Sequence, residues 1–212
     1  MIRGFKKLTA GVILLTICGA SVSPTMAQQT STSRTQHPAV IKYDGDMTSM
    51  LAHLTKIYGV TIGLEVDPQQ PQSQVEFYLL NPTLPDVLNA IVKSAPNYQW
   101  RESDGFIEVL PMAGSSPLLD TMISRFGTSD VDEAGAFNQL LNLPELQANM
   151  RAMSLKGRAL GDTSTEKAEK FSVNLESVTF RQALHKIAKL SSGRFWIFRN
   201  NSDGSFSISN SA

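Results

Sequence analysis

Apolar positions along this chain fall into one rhythm after another, and each change of rhythm marks an element. Val40-Ile41-Lys42-Tyr43 reads as a short strand. From Met47 the period lengthens, and Met47, Met50, Leu51, Leu54, Ile57 and Tyr58 share one face of a helix. Asp46 stands at its N-cap position, and Gly59 stops it, being free to take positive φ. Val60–Leu64 resumes as a strand, and Pro68–Ser73 is a polar loop. Val75, Phe77 and Leu79 then alternate as one face of a further strand. Leu84, Val87, Leu88, Ile91, Val92 and Ala95 line the next helix. Its start has Thr83 and Asp86 at capping-box spacing and Pro85 in the first turn, and Pro96-Asn97 ends it.

A hairpin follows. Strands Tyr98–Glu102 and Phe106–Leu110 flank Asp104-Gly105, a dipeptide favoured in two-residue loops. That turn sets Ser103 opposite Phe106, Arg101 opposite Glu108 and Trp100 opposite Val109. One face then carries a pair of opposite charges. The other carries Tyr98, Trp100, Ile107 and Val109, and is expected to lie on the helices.

The stretch Val75–Leu110 is written twice. One constant offset places Leu79 on Leu175, Thr83 on Thr179, Leu88 on Leu184, Ile91 on Ile187 and Trp100 on Trp196. The second copy reads as strand Phe171–Leu175, helix Phe180–Leu190 with Thr179 and Gln182 as capping box, a stop at Gly193, and hairpin Phe195–Arg199 with Ser205–Ile208. Its strand Phe195-Trp196-Ile197-Phe198 is apolar on both faces, where Gln99 and Arg101 are polar in the first copy. A sheet with two apolar faces is covered on both sides. Either the central helices pack there or a partner does.

Between the copies, Pro111–Pro117 is a linker rich in Pro, Gly and Ser. Leu118, Leu119, Met122, Ile123 and Phe126 have the spacing of one helix, and Phe137, Leu140 and Leu141 that of a second. Pro144 interrupts, then Leu146, Met150 and Met153 continue. Lys156–Lys170 is polar and expected as a loop. The fold class is therefore expected to be α+β. A small two-helix domain flanked by short sheets occupies 39–112, a linker and helical insert 113–170, and a partial second strand-helix-hairpin copy 171–212.

The N-terminus sets the compartment. Arg3, Lys6 and Lys7 precede the apolar run Leu8–Gly19, and Thr25-Met26-Ala27 ends the segment with a cleavage-site pattern. That is the layout of a secretory signal peptide over 1–27, with an apolar run shorter than the roughly 20 residues of a spanning helix. The polar residues 28–38 follow as a flexible leader. Cleavage after Ala27 removes Cys18, the only cysteine, and with it any disulfide, thiol nucleophile or thiolate ligand. It also removes three basic residues and no acidic one, so the tally of 19 basic against 19 acidic becomes 16 against 19. A mildly acidic chain without a basic block lacks the clustered Lys and Arg that nucleic acid requires. The expectation is an exported, periplasmic protein.

Reactive groupings are scarce. His37 lies in the leader, and His53 and His185 fall on the polar sides of their helices, where they are expected to be solvated. Without a His-x-x-x-His pair or cysteines, a zinc site has little material. Asp130, Asp132 and Glu133 cluster without EF-hand order, and are expected to acidify a helix start at Ala134. Glu102 and Asp104 are expected as a solvated pair at the hairpin turn. Neither an enzyme nor a cofactor is expected.

Val40–Leu110 carries Leu51, Leu54, Tyr58-Gly59 and Val60, then Pro82-Thr83-Leu84, Val87-Leu88, Ile91, Tyr98, Trp100 and Asp104-Gly105. In these residues it resembles the short N-terminal domain shared by outer-membrane secretins and TonB-dependent signalling receptors. The resemblance implies a strand-helix-strand-strand-helix-hairpin fold that docks onto other envelope proteins. In that family the domain is an appendage of a long chain ending in a membrane β-barrel. Barrel strands and plug are missing here, so the expectation is an accessory subunit rather than a secretin or receptor. Partners would be envelope proteins: a secretin, an inner-membrane platform or a regulatory component. Phe195 and Ile197 are the candidate partner surface. The alternative is a small-ligand or glycan-binding module with Tyr98, Trp100 and Trp196 as stacking platforms.

Overall fold

The computed structural model describes residues 38–69, 73–160, 169–201 and 203–210, with the backbone alone at 158–160. The expected signal peptide and leader, with Cys18 and His37, lie outside the described residues, as do parts of the two expected polar loops.

Local chemistry sets the first seven elements. β1 (Val40–Asp46) runs into α1 (Met47–Tyr58), whose N-cap Asp46 accepts from the Ser49 amide and whose stop, Gly59, has φ 66°. β2 (Ile62–Val66) and β3 (Gln74–Leu80) lead to α2 (Leu84–Ser94), where Thr83 and Asp86 close the capping box in both directions. The hairpin β4 (Tyr98–Ser103) and β5 (Phe106–Pro111) has the register its Asp-Gly turn demands, with Arg101 opposite Glu108 and Trp100 opposite Val109. After a 3-10 turn at Pro117–Asp120 come β6 (Met122–Val131), α3 (Glu133–Leu141), α4 (Pro144–Ala152), β7 (Lys156–Leu160), β8 (Phe171–Thr179), α5 (Phe180–Leu190), β9 (Phe195–Asn200) and β10 (Ser205–Ser209). The fold class is α+β, as expected.

Two expectations fail in the middle of the chain. The helix through Met122, Ile123 and Phe126 is instead the strand β6, antiparallel to β8. Ile123 and Phe126 are both buried three residues apart, as on a helix. They face Val178 and Leu175 in one register, and between those two Ser177 takes a left-handed φ of 51°. A helical spacing of buried residues thus sits within a strand, whose one register shift comes later, between Thr128 and Val131. The loop expected from Lys156 begins with β7, which pairs in parallel with β10. That partner lies far along the chain, so nothing local in the sequence announces it.

The second copy is therefore not partial. It repeats the whole order of the first, with α4 added. The pairings repeat as well: β6 with β8 matches β1 with β3, and β7 with β10 matches β2 with β5. Even an unfavourable backbone angle repeats, at Asn81 (φ 46°) and its counterpart Ser177.

The copies join edge to edge. β2 of the first pairs in parallel with β9 of the second, giving one six-stranded sheet in the order β4-β5-β2-β9-β10-β7. Its two faces belong to two cores. Ile62, Leu64, Val109, Phe195 and Ile197 pack with α1 and α2, while Trp196, Phe198, Phe206 and Ile208 pack with α3 and α5. Strands of each copy are thus covered in part by helices of the other. Each copy also keeps a separate two-stranded ribbon, β1–β3 and β6–β8.

Candidate functional site

The joint decides the fate of the expected partner surface. Phe195 and Ile197 are 1% and 0% exposed, inside the core of the first copy beneath α1. This corrects the expectation that they face a partner, because β2 and the first copy's helices already occupy that side. The contrast between the two hairpins follows from position. β9 is an interior strand, apolar on both faces, whereas β4 is an edge and keeps polar Gln99, Arg101 and Glu102 at the matching places.

The stacking residues fare differently. Tyr98 is buried, and its hydroxyl accepts from the Asp67 amide at 2.9 Å. Trp196 is wholly buried, and Trp100 is half-buried with its indole donating to Asn89 at 2.9 Å. Neither Tyr98 nor Trp196 offers an open platform.

His185 is a second correction. Rather than meeting solvent, it is 2% exposed. The polar stripe of α5, Arg181 and His185 one turn apart, faces the reverse side of the first copy's strands, where Glu65 and Glu108 stand among apolar neighbours. His185 Nε2 lies 3.1 Å from Glu108, and the Trp196 indole donates to Nδ1 at 3.1 Å. Arg101 adds a 2.6 Å bond to Glu108. Arg181 reaches Glu65 at 3.4 Å and bonds Ser115, while the Ser115 hydroxyl and Ser116 amide both donate to Glu65. Arg181 Nε stops 3.8 Å from both Glu108 and Asp120, beyond hydrogen-bond range. Burial pushes the Glu108 pKa up, but His185, Arg101 and Arg181 outweigh it and bring the carboxyl down to about 2. Burial is also the largest influence on His185 and lowers it, against the pull of Glu108. Close approach at the joint requires Gly63, since a Cβ there would lie 2.3 Å from the Trp196 ring. Glu65, Glu108, Arg181 and His185 are buried, while Arg101 and Asp120 reach the network from the surface.

Sequence reasoning paired Glu108 with Arg101 and missed the rest. Its available signal was a lone carboxylate inside each of two apolar strands, Ile-Gly-Leu-Glu-Val and Phe-Ile-Glu-Val-Leu. The acidic cluster behaves as expected of a helix start. Asp132 caps α3 through the Gly135 amide, and Asp130 pairs with Lys170 at 3.2 Å. Among the described residues no trio of His, Cys, Asp or Glu is placed to hold a metal ion, and no helix is long and apolar enough to cross a membrane.

The accessible candidate is the β1–β3 ribbon. On its outer face Val40 stands opposite Leu80 and Lys42 opposite Tyr78, and Val40, Tyr78 and Leu80 are 48%, 59% and 64% exposed. The Asn81 amide bonds Ala39, so the pairs Leu79–Ile41 and Phe77–Tyr43 exchange ladder bonds, and the amides of Glu76, Tyr78 and Leu80 point to the other edge, which no strand among the described residues pairs. Beside that edge runs a groove of about 600 Å³ between β3 and α2, lined by Phe77, Leu79, Pro82, Asn89, Ala90 and Lys93. Ser94 closes one end by donating to the Glu76 carbonyl at 3.1 Å. No protein-family model, curated protein or solved structure matches this chain.

Proposed function

We propose that this chain is an exported, non-catalytic docking subunit of a cell-envelope complex, which binds a partner protein through the outer face and open edge of its β1–β3 ribbon. The observation that carries this reading is a difference between the two copies. Where the first ribbon exposes Val40 beside Leu80, the second has Arg125 beside Glu176, an exposed ion pair at 3.9 Å. Where the first exposes Tyr78, the second has Asn174. At matching places one copy thus carries an ion pair and an asparagine and the other Val40, Leu80 and Tyr78 beside Lys42, and clustered exposed apolar side chains mark contact surfaces. The edge amides of Tyr78 and Leu80 suit an added strand of the partner, with the groove taking its side chains. The resemblance to secretin and TonB-receptor N-terminal domains, and the signal-peptide pattern, support an envelope partner.

The repeat supplies the test. Val40→Arg/Leu80→Glu grafts the second copy's ion pair onto the first. A photo-crosslinker at Lys42 in intact cells is expected to capture a discrete envelope protein, and one at Arg125 is not. The graft is expected to abolish the capture while leaving the thermal midpoint within a few degrees. Equal capture from both ribbons, or capture that survives the graft, would remove the proposal.

A further inference from the structure

The imidazole of His185 is enclosed by groups from both copies. An indole nitrogen only donates and a carboxylate only accepts. With Trp196 Nε1 at Nδ1 and Glu108 Oε1 at Nε2, the neutral ring therefore carries its proton on Nε2. Phe106 of β5 stacks on the ring at 4.6 Å, with Lys186 and Lys189 of α5 over that phenyl at 5.3 and 5.7 Å. Arg181 of α5, Arg101 of β4, Glu65 of β2 and Asp120 of the 3-10 turn complete the charged surroundings, all reaching His185 through Glu108 or Arg181.

We propose that the Trp196–His185–Glu108 chain is an acid-released latch that holds Trp196 of β9 in its glycine seat on β2. The neutral ring serves both neighbours at once. The imidazolium cannot, because both its nitrogens then bear hydrogens and one of them faces the indole N–H. Protonation keeps the contact with Glu108 and breaks the one with Trp196. That leaves the indole N–H buried without an acceptor, in a seat that only a glycine at 63 leaves open. Glu108 stays ionised until about pH 2, so a change at milder acidity belongs to the imidazole. The sign follows from burial. His185 in the folded chain resists protonation relative to an unfolded histidine, so the latch is fully closed above about pH 6.5 and opens as pH falls below it.

The chain has two tryptophans and three histidines. Trp100→Phe, His37→Gln and His53→Gln together leave Trp196 and His185 as the only ones of their kind. In that background the indole 1H–15N resonance is followed from pH 8 to 4.5. The expected result is a one-proton transition with its midpoint below 6.5. On its acid side the indole proton exchanges about ten-fold faster, after correction for intrinsic rates, as loss of one buried hydrogen bond implies. Adding His185→Gln supplies an amide that accepts from Trp196 and donates to Glu108 at every pH, and the transition is expected to vanish. A flat profile in the parent, or a transition that survives His185→Gln, overturns the proposal. Should the glutamine variant fail to fold, side-chain 15N shifts of His185 in the parent decide: a proton on Nε2 at pH 8 upholds the latch, and one on Nδ1 ends it.

Discussion

Glu108 is buried and ionised at once, a state that is costly unless partners surround the carboxylate. His185 and Arg101 bond it, and Arg181 lies 3.8 Å away. Its pKa is depressed well below 4.5, so the unfolded chain takes up its proton first as the medium acidifies. The stabilisation is complete above about pH 4.5 and is lost as pH falls toward 2. Glu108→Gln keeps the shape and removes the charge. By urea denaturation at pH 7 the variant is expected to lose about 3–5 kcal/mol, the usual cost of removing one partner from a buried ion pair. Below pH 4.5 the difference from the parent should shrink steadily. A difference independent of pH would mean that packing, not charge, makes Glu108 matter.

At the scale of elements, the β1–β3 ribbon allows its ladder and its free edge to be tested separately. The Tyr78 amide points to the edge and the Phe77 amide into the ladder, so a proline has opposite consequences at adjacent positions. Tyr78→Pro should retain the fold, with a thermal midpoint close to the parent's, and should block strand addition. Phe77→Pro removes a β1–β3 hydrogen bond and is expected to cost about 1–3 kcal/mol more. If both variants bind the partner normally, the edge is not used. The same elements show what the sequence could reveal. α1, α2 and α5 were legible because each announces its own ends, through Asp46 and Gly59, Thr83 and Asp86, Thr179 and Gln182. The first hairpin was legible because Asp104-Gly105 fixes its register locally. β6 was not, since its buried Ile123 and Phe126 stand three residues apart, as on a helix, and its partner β8 lies about fifty residues on. β7 depends on a partner nearly fifty residues away. The charged network lay hidden for the same reason, with Glu65, Glu108 and Arg181 scattered on three elements that only the joint between the copies brings together.

Across the whole molecule, the exchange of cover between the copies makes an argument about cooperativity. β9 lies between β2 and β10, Phe195 and Ile197 complete the first core, and α5 of the second copy covers Glu65 and Glu108 of the first. If the first copy came apart alone, it would strip one face of β9 and leave Arg181 and His185 without their carboxylates. Neither copy is therefore expected to persist without the other, although each has a complete set of elements. Leu88→Ala tests this, because Leu88 lies on α2, deep in the first core and away from the joint's charges. The truncation should cost about 2–5 kcal/mol. Read through Trp196 in a Trp100→Phe background, that loss belongs to a residue of the other copy. A single two-state transition, shifted by the full amount in the Trp196 signal and in far-ultraviolet circular dichroism alike, is the outcome that joint unfolding demands. An early dichroism phase with the Trp196 midpoint unmoved would show two independently stable halves, with β2 and β9 forming only a contact between them.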